Sequence, residues 1–343
     1  MSSTNLAAGA PGQAFVVERD DQGRIHSSVQ SLGCEEPRPG HVLIRAHWSS
    51  LNFKDALAAT GHPGVVRRFP HVPGIDVAGT VVQVPDGFTS LAVGQPVLVT
   101  GYDLGAGQWG GWSEQVSVPA EWVVPCPPSW SLRDAMVLGT AGLTAAMGVE
   151  TLQRHGIVAG PDMRVLVTGG TGGVGCLAIH LLVKLGYHVT AVTGKSASHG
   201  LLRGWGVQEI LDRGAVQDSS TKPLLPAQWA GAIDTVGGAI LATIVRQTKP
   251  RGCVAACGLV AGTDLPLTVY PFLLRGVTLA GIDSAWYPRD ERIELWRKLA
   301  GPWSLANLEP LVTETDLEGV GAHVSRILAG EVIGRVIVRL GSP

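Results

Sequence analysis

Three glycines with the spacing of a dinucleotide-binding motif lie near the middle of the chain, in the order Gly170-x-Gly172-x-x-Gly175. The first glycine permits a tight turn, the second lets the backbone approach a pyrophosphate, and the third lets a helix pack closely on a strand. An apolar run at residues 164–168 precedes the motif and a helical pattern at residues 174–185 follows it, which is the context that the motif requires. The alternative is a tight turn with a structural role alone. The glycines expected to bind the pyrophosphate at the start of this helix are Gly170, Gly172 and Gly175.

The end of the next strand in the pattern indicates which dinucleotide binds. An NAD site usually carries Asp or Glu there, about 20 residues beyond the glycines, to bind the ribose 2′-hydroxyl. Here the strand ends in Thr193-Gly194-Lys195, without an acid. Hydroxyl groups and a cation suit a 2′-phosphate, and Arg213, just past the third strand, could supply a second cation. The sequence therefore predicts NADPH rather than NADH; the alternative for Lys195 and Arg213 is an ordinary exposed side chain.

The elements that must position these residues indicate an α/β protein with two domains. Up to residue 125, short apolar runs alternate with Gly and Pro turn signals, a pattern typical of an irregular β-barrel or sandwich. From residue 127 onward, apolar strands alternate with helices, which predicts a doubly wound parallel sheet. The last strand, at residues 334–340, lies outside this alternation and is assigned to the first domain. The expected division is therefore 1–126 with 305–343 for the first domain and 127–304 for the second.

Composition excludes several classes of protein. Charged residues make up only 16% of the 343 residues and the net charge is -2, so a nucleic-acid partner is not expected. No apolar run reaches about 18 residues, so no membrane span is expected, and residues 1–12 look like an unstructured tail rather than a signal peptide. The number of cysteines is odd and none forms a CxxC pair, which favours free thiols in a reducing cytoplasm. The five are Cys34, Cys126, Cys176, Cys253 and Cys257.

One further apolar run, at residues 277–282, is predicted to form a strand at the edge of the parallel sheet. An edge strand presents unpaired backbone N–H and C=O groups. Pairing of this edge with a second copy of the chain would satisfy them, so we expect a homodimer.

A barrel-like first domain, a central dinucleotide domain and a return to the barrel resemble the medium-chain dehydrogenase/reductase superfamily, which implies a GroES-like first domain and a Rossmann second domain. Alcohol dehydrogenases of this superfamily bind catalytic zinc through a Cys, the His of a Gly-His-Glu motif and a later Cys or acid. Asn52 stands where the first Cys is expected, Pro-Gly-Ile-Asp at residues 73–76 replaces Gly-His-Glu, and the four-cysteine structural zinc lobe is missing. The ligands that zinc requires are thus missing and no metal is expected. His62 and His71 are interpreted as surface or turn residues.

Within the zinc-free branch, six segments are similar to the acrylyl-CoA reductase family, which is related to quinone oxidoreductases. They are residues 48–57, 69–79, 139–144, 229–237, 252–259 and 271–284. The resemblance covers the chain after its N-terminal tail. It implies an oxidoreductase acting on CH–CH bonds, which reduces the C2=C3 double bond of acryloyl-CoA to propanoyl-CoA by hydride transfer from NADPH to the β-carbon, without metal. The cofactor contacts that it implies are Phe53, Thr171, Gly172, Gly173, Val174, Thr193, Gly194, Lys195, Arg213, Leu259, Leu273 and Ser284.

The resemblance also implies which residues surround the reacting atoms. Phe53 stands where the family often has Tyr, so a phenol hydrogen bond is lost while a ring can still pack on the nicotinamide. Asn52 could donate its amide to the thioester oxygen as negative charge develops there. Asp76 could orient Asn52, or could be a structural carboxylate. Arg67 and Arg68 could bind the phosphates of CoA, or could be solvated surface arginines.

Two alternative functions remain open at this point. A quinone or general enone reductase would keep the fold and cofactor and change only the acceptor. A non-enzymatic NADPH-binding protein is the second alternative, because Phe53 lacks the hydroxyl of the family's Tyr.

Overall fold

The computed structural model describes residues 11–33, 37–160 and 162–341. They form two compact units: unit 1 comprises the described residues within 11–140, 285–300 and 308–341, and unit 2 comprises those within 141–284 and 301–307. Residues 1–10 of the predicted tail, and Cys34, lie outside the described residues, whereas Gly12, the last residue of that tail, is the first residue of a strand.

Unit 1 contains nine strands and three helices among its described residues, together with the first part of a fourth helix. The strands are β1 (Gly12–Arg19), β2 (Ile25–Leu32), β3 (His41–Leu51), β4 (Asp76–Gln83), β5 (Pro96–Thr100), β6 (Gln115–Pro119), β7 (Val124–Pro125), β14 (Val312–Thr315) and β15 (Arg335–Arg339). The helices are α1 (Phe53–Ala59), α7 (Arg289–Ala300) and α8 (Val320–Leu328). β1 and β2 form an antiparallel pair, and the other strands form a sheet of order β14-β15-β3-β4-β5-β7, with β6 also paired to β3.

The core of unit 1 is the apolar face of this sheet. Along β3, the side chains of Val42, Ile44 and Ala46 are buried, and they pack in a cluster of mainly Val, Ala and Leu side chains with Trp112 and Phe15. β15 pairs with β3 in antiparallel register, with Val336 opposite Leu51. The last strand therefore completes the first unit, as its position outside the alternating pattern predicts.

Unit 2 contains a six-stranded sheet with strand order β10-β9-β8-β11-β12-β13. Every pairing in it is parallel, which confirms the predicted doubly wound sheet and its mixed α/β class. The strands are β8 (Arg164–Val167), β9 (His188–Val192), β10 (Glu209–Leu211), β11 (Trp229–Asp234), β12 (Thr248–Ala256) and β13 (Thr278–Gly281). The helices are α3 (Gly173–Lys184), α4 (His199–Gly204), α5 (Gly238–Gln247) and α6 (Tyr270–Arg275).

The chain passes from unit 1 to unit 2 within one long helix, α2 (Leu132–Arg154), which is kinked at Gly139 with φ 49° and ψ -154°. By length and composition α2 could cross a membrane, but 83% of its most apolar stretch is buried. Burial of this kind is typical of a core helix, and an apolar helix inside a protein core has the same composition as a membrane span.

The compact units divide the chain at positions that differ from the expected boundaries after residues 126 and 304. Unit 1 also takes residues 127–140 and 285–300. The reason for the second difference is Arg292 on α7, whose buried guanidinium donates to the carbonyl and hydroxyl oxygens of Thr100 at 2.6 and 2.7 Å. A helical pattern in the sequence does not show which sheet the helix joins.

Candidate functional site

The residues predicted to bind the dinucleotide follow the carboxyl ends of the strands of unit 2. Because all six strands are parallel, these ends meet at one edge, and a ligand is expected where the strand order reverses, between β8 and β11. The edge carries the glycine turn after β8, Thr193, Gly194 and Lys195 after β9, Arg213 after β10, Leu259 after β12, and Ser284 after β13.

The glycine turn leaves no room for side chains on its inner face. A Cβ on Gly175 would lie 2.2 Å from the carbonyl oxygen of Gly169, so only glycine allows α3 to start this close to the turn. Gly169 has φ +57°, and its carbonyl accepts from the N–H of Gly172 at 2.8 Å. Gly172 is the N-cap of α3. The free N–H groups at the start of a twelve-residue helix form a site for an anion such as a pyrophosphate.

Two cationic residues, Lys195 and Arg213, lie near the end of β9. A Cβ on Gly194 would lie 2.9 Å from Nε and 3.2 Å from Cζ of Arg213, so the guanidinium lies directly against the backbone of Gly194. Lys195 follows, and its N–H donates to Oγ1 of Thr193 at 3.1 Å. The hydroxyl of Thr171 lies 3.3 Å from that of Thr193. The structure thus brings Thr171, Thr193, Lys195 and Arg213 together, a donor set that fits a 2′-phosphate.

A buried carboxyl group that the sequence interpretation missed ties two strand ends together. Asp234, at the end of β11, accepts from Oγ1 of Thr168 and from the N–H of Gly237, both at 2.7 Å. Burial raises the pKa of Asp234. These bonds fix the crevice between β8 and β11, and the only sequence signal for them is an acid at the end of an apolar strand.

Ser284 and Leu273 differ in how well the structure places them. Oγ1 of Thr144 donates to Oγ of Ser284 at 2.8 Å, which holds Ser284 beside α2. Leu273 lies on α6, which precedes β13, and its side chain is 75% exposed. The guanidinium of Arg275, two residues on, bonds to the carbonyl of Thr248 at the amino end of β12. Leu273 is thus not brought to the carboxyl edge with the other residues.

In unit 1, Asn52, Phe53 and Asp76 lie where β3 ends and β4 begins. Asn52 is the N-cap of α1, and the half-buried Phe53 is its first residue. Asp76 is fully buried. Its Oδ1 accepts from Oγ1 of Thr140 at 2.5 Å, and its Oδ2 accepts from Oγ of Ser50 at 2.6 Å. Asp76 is therefore a well-bonded carboxylate of the interior.

The amide of Asn52 points into this cluster. Nδ2 lies 2.9 Å from Oδ2 of Asp76, 3.1 Å from Oγ of Ser50 and 3.2 Å from Oδ2 of Asp55. Oδ1 accepts from Nη1 of Arg335 at 3.2 Å. An amide has two protons to donate, and both have acceptors within unit 1. This geometry does not fit the expected role of Asn52 as a donor to the thioester oxygen; it fits a residue that fixes the start of α1 and with it Phe53.

Two members of this cluster were missed by the sequence interpretation. Arg335, on β15, is 2% exposed and also donates from Nε to the carbonyl of Val137 at 2.9 Å. Asp55 accepts from the N–H groups of Asn52 and Ile75, each at 2.7 Å. Burial, and then the nearby charge of Asp76, raise the pKa of Asp55 to about 7.

Among residues 11–33, 37–160 and 162–341, no group of three or more His, Cys, Asp or Glu side chains could hold a metal ion. Asn52 in place of Cys offers no thiolate, and Asp76 is saturated with hydrogen bonds. His71 proves to be buried rather than at the surface, with Nε2 3.0 Å from the carbonyl oxygen of Gly105. The side chains present therefore do not fit a catalytic zinc ion.

Arg67 and Arg68 are exposed, and both line a cavity of about 900 Å³ within unit 1. They lie in the segment that follows α1.

Two family models match the chain. The Alcohol dehydrogenase GroES-like domain matches residues 38–128, and the Zinc-binding dehydrogenase model matches residues 173–300. The chain is 42% identical to Acrylyl-CoA reductase AcuI of Ruegeria pomeroyi, over 95% of this chain and 98% of that protein. It is 41% identical to Putative quinone oxidoreductase YhfP of Bacillus subtilis, over 96% of this chain and 98% of that protein.

Solved structures agree with these matches. The yhdH oxidoreductase from Salmonella enterica in complex with NADP has a TM-score of 0.91 and 43% identity, with 96% of this chain and 100% of that one covered. The Bacillus subtilis protein yhfP with NAD bound has a TM-score of 0.91 and 40% identity, with the same coverage. Similarity of this extent covers parts of both units.

Proposed function

The chain belongs to the acrylyl-CoA reductase family of the medium-chain dehydrogenase/reductase superfamily, and on this premise we propose that it reduces the C2=C3 double bond of acryloyl-CoA with NADPH to give propanoyl-CoA. The observation that carries the proposal is the match to the Ruegeria pomeroyi acrylyl-CoA reductase at 42% identity over 95% of the chain. The zinc-free donor set around Asp76 supports it, because alcohol oxidation in this superfamily depends on the zinc ligands that this chain lacks.

The cofactor is NADPH. The Salmonella relative was solved with NADP, and this chain carries Lys195, with Arg213 against the backbone of Gly194. The Bacillus relative was solved with NAD, so the family fold alone does not fix the choice. The paired cations and the missing acid after β9 favour the 2′-phosphate, because a carboxylate at that position would repel it.

The reaction requires three things of the protein. Bound NADPH supplies a hydride to the β-carbon of the unsaturated thioester. The chain must then hold the cofactor in the orientation that hydride transfer requires, exclude water around the developing enolate, and let a proton reach the α-carbon. We propose that the ring of Phe53 packs against the nicotinamide, and that Gly170, Gly172, Gly173, Val174 and Gly175 hold the pyrophosphate with Thr171.

We propose a positioning role for Asn52 and Asp76. The hydrogen bonds of Asn52 to Asp76 and Arg335 fix the residue from which α1 starts, and Phe53 is the next residue. A shift of about 1 Å in a group that orients substrate or cofactor can cost a hundredfold in rate. We also propose that Leu259 and Ser284 line the nicotinamide end of the site, since both follow carboxyl ends of strands. Leu273 is proposed to reach this site only when two chains form a homodimer.

A panel of acceptors tests the proposed function. NADPH oxidation is followed by absorbance with acryloyl-CoA, crotonoyl-CoA, a small enone and a quinone. We expect kcat/KM for acryloyl-CoA to exceed the other values by at least about tenfold, and propanoyl-CoA to be the product by mass spectrometry. Equal or faster reduction of the quinone would overturn the proposal.

The second candidate is a quinone or general enone reductase. It is favoured by one observation, the 41% identity to the putative quinone oxidoreductase of Bacillus subtilis. The same panel separates the two. Binding of NADPH without turnover of any acceptor would point instead to a non-enzymatic NADPH-binding protein.

We propose that the protein is a homodimer paired through β13. This strand bonds only to β12 in the described part of the sheet. The neighbouring α6 exposes Leu273 and Leu274 at 75% and 65%, and Leu259 is 57% exposed. An open sheet edge beside apolar side chains is a surface that a second copy can cover.

We also propose a cytoplasmic location. Cys126, Cys176, Cys253 and Cys257 are all free thiols, which fits a reducing compartment. Cell fractionation with thiol labelling of the released protein tests this; recovery in an oxidising compartment would contradict it.

A further inference from the structure

Unit 1 contains a cavity of about 900 Å³, between the β1–β2 pair, the segment after α1 and the segment after β5. A volume of this size lies within the range of small-molecule sites. The cavity is lined from separate parts of the chain, including Lys54 on α1, Arg67 and Arg68 after it, and Trp109 in the segment after β5. It has room for a nucleotide.

The lining of this cavity is strongly cationic. Arg38, Lys54, Arg67 and Arg68 all line it, whereas Asp103 is the only acid among the described lining residues. Within the described part of the chain, none of these four cations has an ion pair or a side-chain hydrogen bond. Other arginines do, as when Arg133 bonds to Glu309 at 2.7 Å. Cations that converge on a cavity without protein partners favour a ligand with several negative charges.

The cavity also offers an aromatic ring held in place. The indole N–H of Trp109 donates to the carbonyl of Pro70 at 3.1 Å, and the side chain is 46% exposed. An exposed indole of fixed orientation is a platform on which a purine base can stack. Phosphate-binding cations and a stacking ring in one cavity are the two parts that recognition of a phosphorylated purine nucleoside requires.

Lys54 connects this cavity with the reaction site. It directly follows Phe53, and its half-buried side chain lines the cavity. CoA carries a diphosphate and a 3′-phosphate on its adenosine, at the end remote from the thioester. We propose that the cavity binds this phosphorylated adenosine, with Arg67, Arg68 and Lys54 on the phosphates and Trp109 against the adenine. The proposal rests on the proposed function, from which the CoA thioester comes.

The direct test is binding of adenosine 3′,5′-bisphosphate to the whole protein by calorimetry, with NADPH saturating so that the cofactor site is filled. We expect wild type to bind it, Arg67→Ala/Arg68→Ala to bind at least about tenfold more weakly, and Trp109→Leu to bind several-fold more weakly. The matched control, Arg326→Ala/Arg339→Ala, removes two exposed arginines of unit 1 that do not line the cavity, and its affinity should equal that of wild type. An equal response to inorganic phosphate would reduce the cavity to a nonspecific anion site and overturn the proposal.

Kinetics provide a second arm. The ratio of kcat/KM for acryloyl-CoA to kcat/KM for acryloyl-pantetheine, which lacks the nucleotide, should fall about tenfold or more in Arg67→Ala/Arg68→Ala. An unchanged ratio in a folded variant would overturn the cavity assignment while leaving the proposed function standing. If the protein binds the bisphosphate but does not reduce acryloyl-CoA, the proposed function would be overturned while the cavity assignment would stand. A preference for a thioester carried on a protein over acryloyl-CoA would show that the cavity serves a protein surface instead.

Discussion

Asp55 and Asp76 are two fully buried carboxyl groups that both accept from the amide of Asn52. Arg335 supplies a buried cation to the same amide. Burial, and then the nearby charge of Asp76, disfavour the ionised form of Asp55, which raises the pKa of Asp55 to about 7. Because Asp55 accepts from the backbone and side chain of Asn52, the N-cap of α1, its protonation bears on the start of this helix.

This cluster predicts a pH dependence of stability. The pKa of Asp55 rises from 3.8 in its usual state to about 7 in the folded protein, so the folded state binds the proton more tightly than the unfolded state. The contribution of protonated Asp55 to the free energy of unfolding is therefore complete below pH 3.8 and is lost as the pH rises through about 7. We expect the difference in urea midpoint between wild type and Asp55→Asn to change between pH 5 and pH 8. Parallel midpoint curves for the two proteins would contradict the assignment.

The cations after β9 and β10 predict cofactor selectivity. Arg213 lies against Gly194, and Lys195 is the next residue, so Lys195→Ala/Arg213→Ala should raise KM for NADPH by about tenfold or more. KM for NADH, which lacks the phosphate, should change little. Arg203→Ala, an exposed residue of α4, is the control. Steady-state kinetics with both cofactors decide; an equal rise for both would show that these cations do not select the phosphate.

At the residue scale, the sequence predicts site residues that are recognised by their spacing from neighbours along the chain. It misses residues whose hydrogen-bond partners are distant in sequence. The glycine turn, Thr193 and Lys195 all follow from neighbours along the chain. Arg335 cannot be found this way, because its partner Asn52 lies 283 residues away along the chain, directly after β3. For the same reason the inward orientation of the Asn52 amide is visible only when β15 is seen beside β3.

At the scale of elements, α2 changes direction at Gly139, where the backbone is left-handed. The kink brings the N–H of Thr140 to 3.0 Å from Oδ2 of Asp76. The helix runs from Leu132 to Arg154 and continues on both sides of this glycine. The apolar patterns predict a β-rich first domain and a parallel sheet in the second, but β2 gives only a weak signal because its exposed side chains include Ser and His.

The kink predicts that replacing Gly139 with a residue that carries a Cβ lowers the stability of the fold. A Cβ at Gly139 would meet Oδ2 of Asp76 at 2.5 Å, in a backbone conformation with φ +49°. Gly139→Ala should therefore lower stability by about 2–4 kcal/mol, through left-handed strain and displacement of a buried carboxylate. Denaturant melts measure this. Gly200→Ala, in α4 with open space around its Cβ, should leave the midpoint unchanged or slightly raised; similar losses in the two variants would contradict the explanation.

At the scale of the whole molecule, we propose that the edge strand β13 decides whether two chains assemble. The N–H of Ile282 donates to Ala256 on the β12 side, so the alternation of a strand directs the N–H of Gly281 outward. Gly281→Pro removes this outward donor, whereas Gly281→Ala keeps it. We expect the proline variant to be a monomer and the alanine variant a dimer by sedimentation equilibrium. A monomeric wild type, or a dimeric proline variant, would refute pairing through β13.

The proposed assembly also bears on Leu273, which the single chain leaves exposed. If the dimer brings it to the cofactor, Gly281→Pro should weaken NADPH binding as well as association, and calorimetry at several protein concentrations would show it. Loss of the dimer with unchanged NADPH affinity would exclude Leu273 from the site.

The return of β15 to β3 has a consequence for the order in which the protein is made. Residues 141–284 of unit 2 emerge from the ribosome before β15 does, while β3, β4 and Asp76 have already been synthesised. Unit 2 can thus complete its sheet at a time when unit 1 still lacks Arg335 for Asn52 and the strand that pairs with β3. Contrary to the usual order, in which the amino-terminal domain folds first, the first unit to be translated is the last to close, and its exposed apolar sheet edge must be protected from aggregation throughout translation of unit 2.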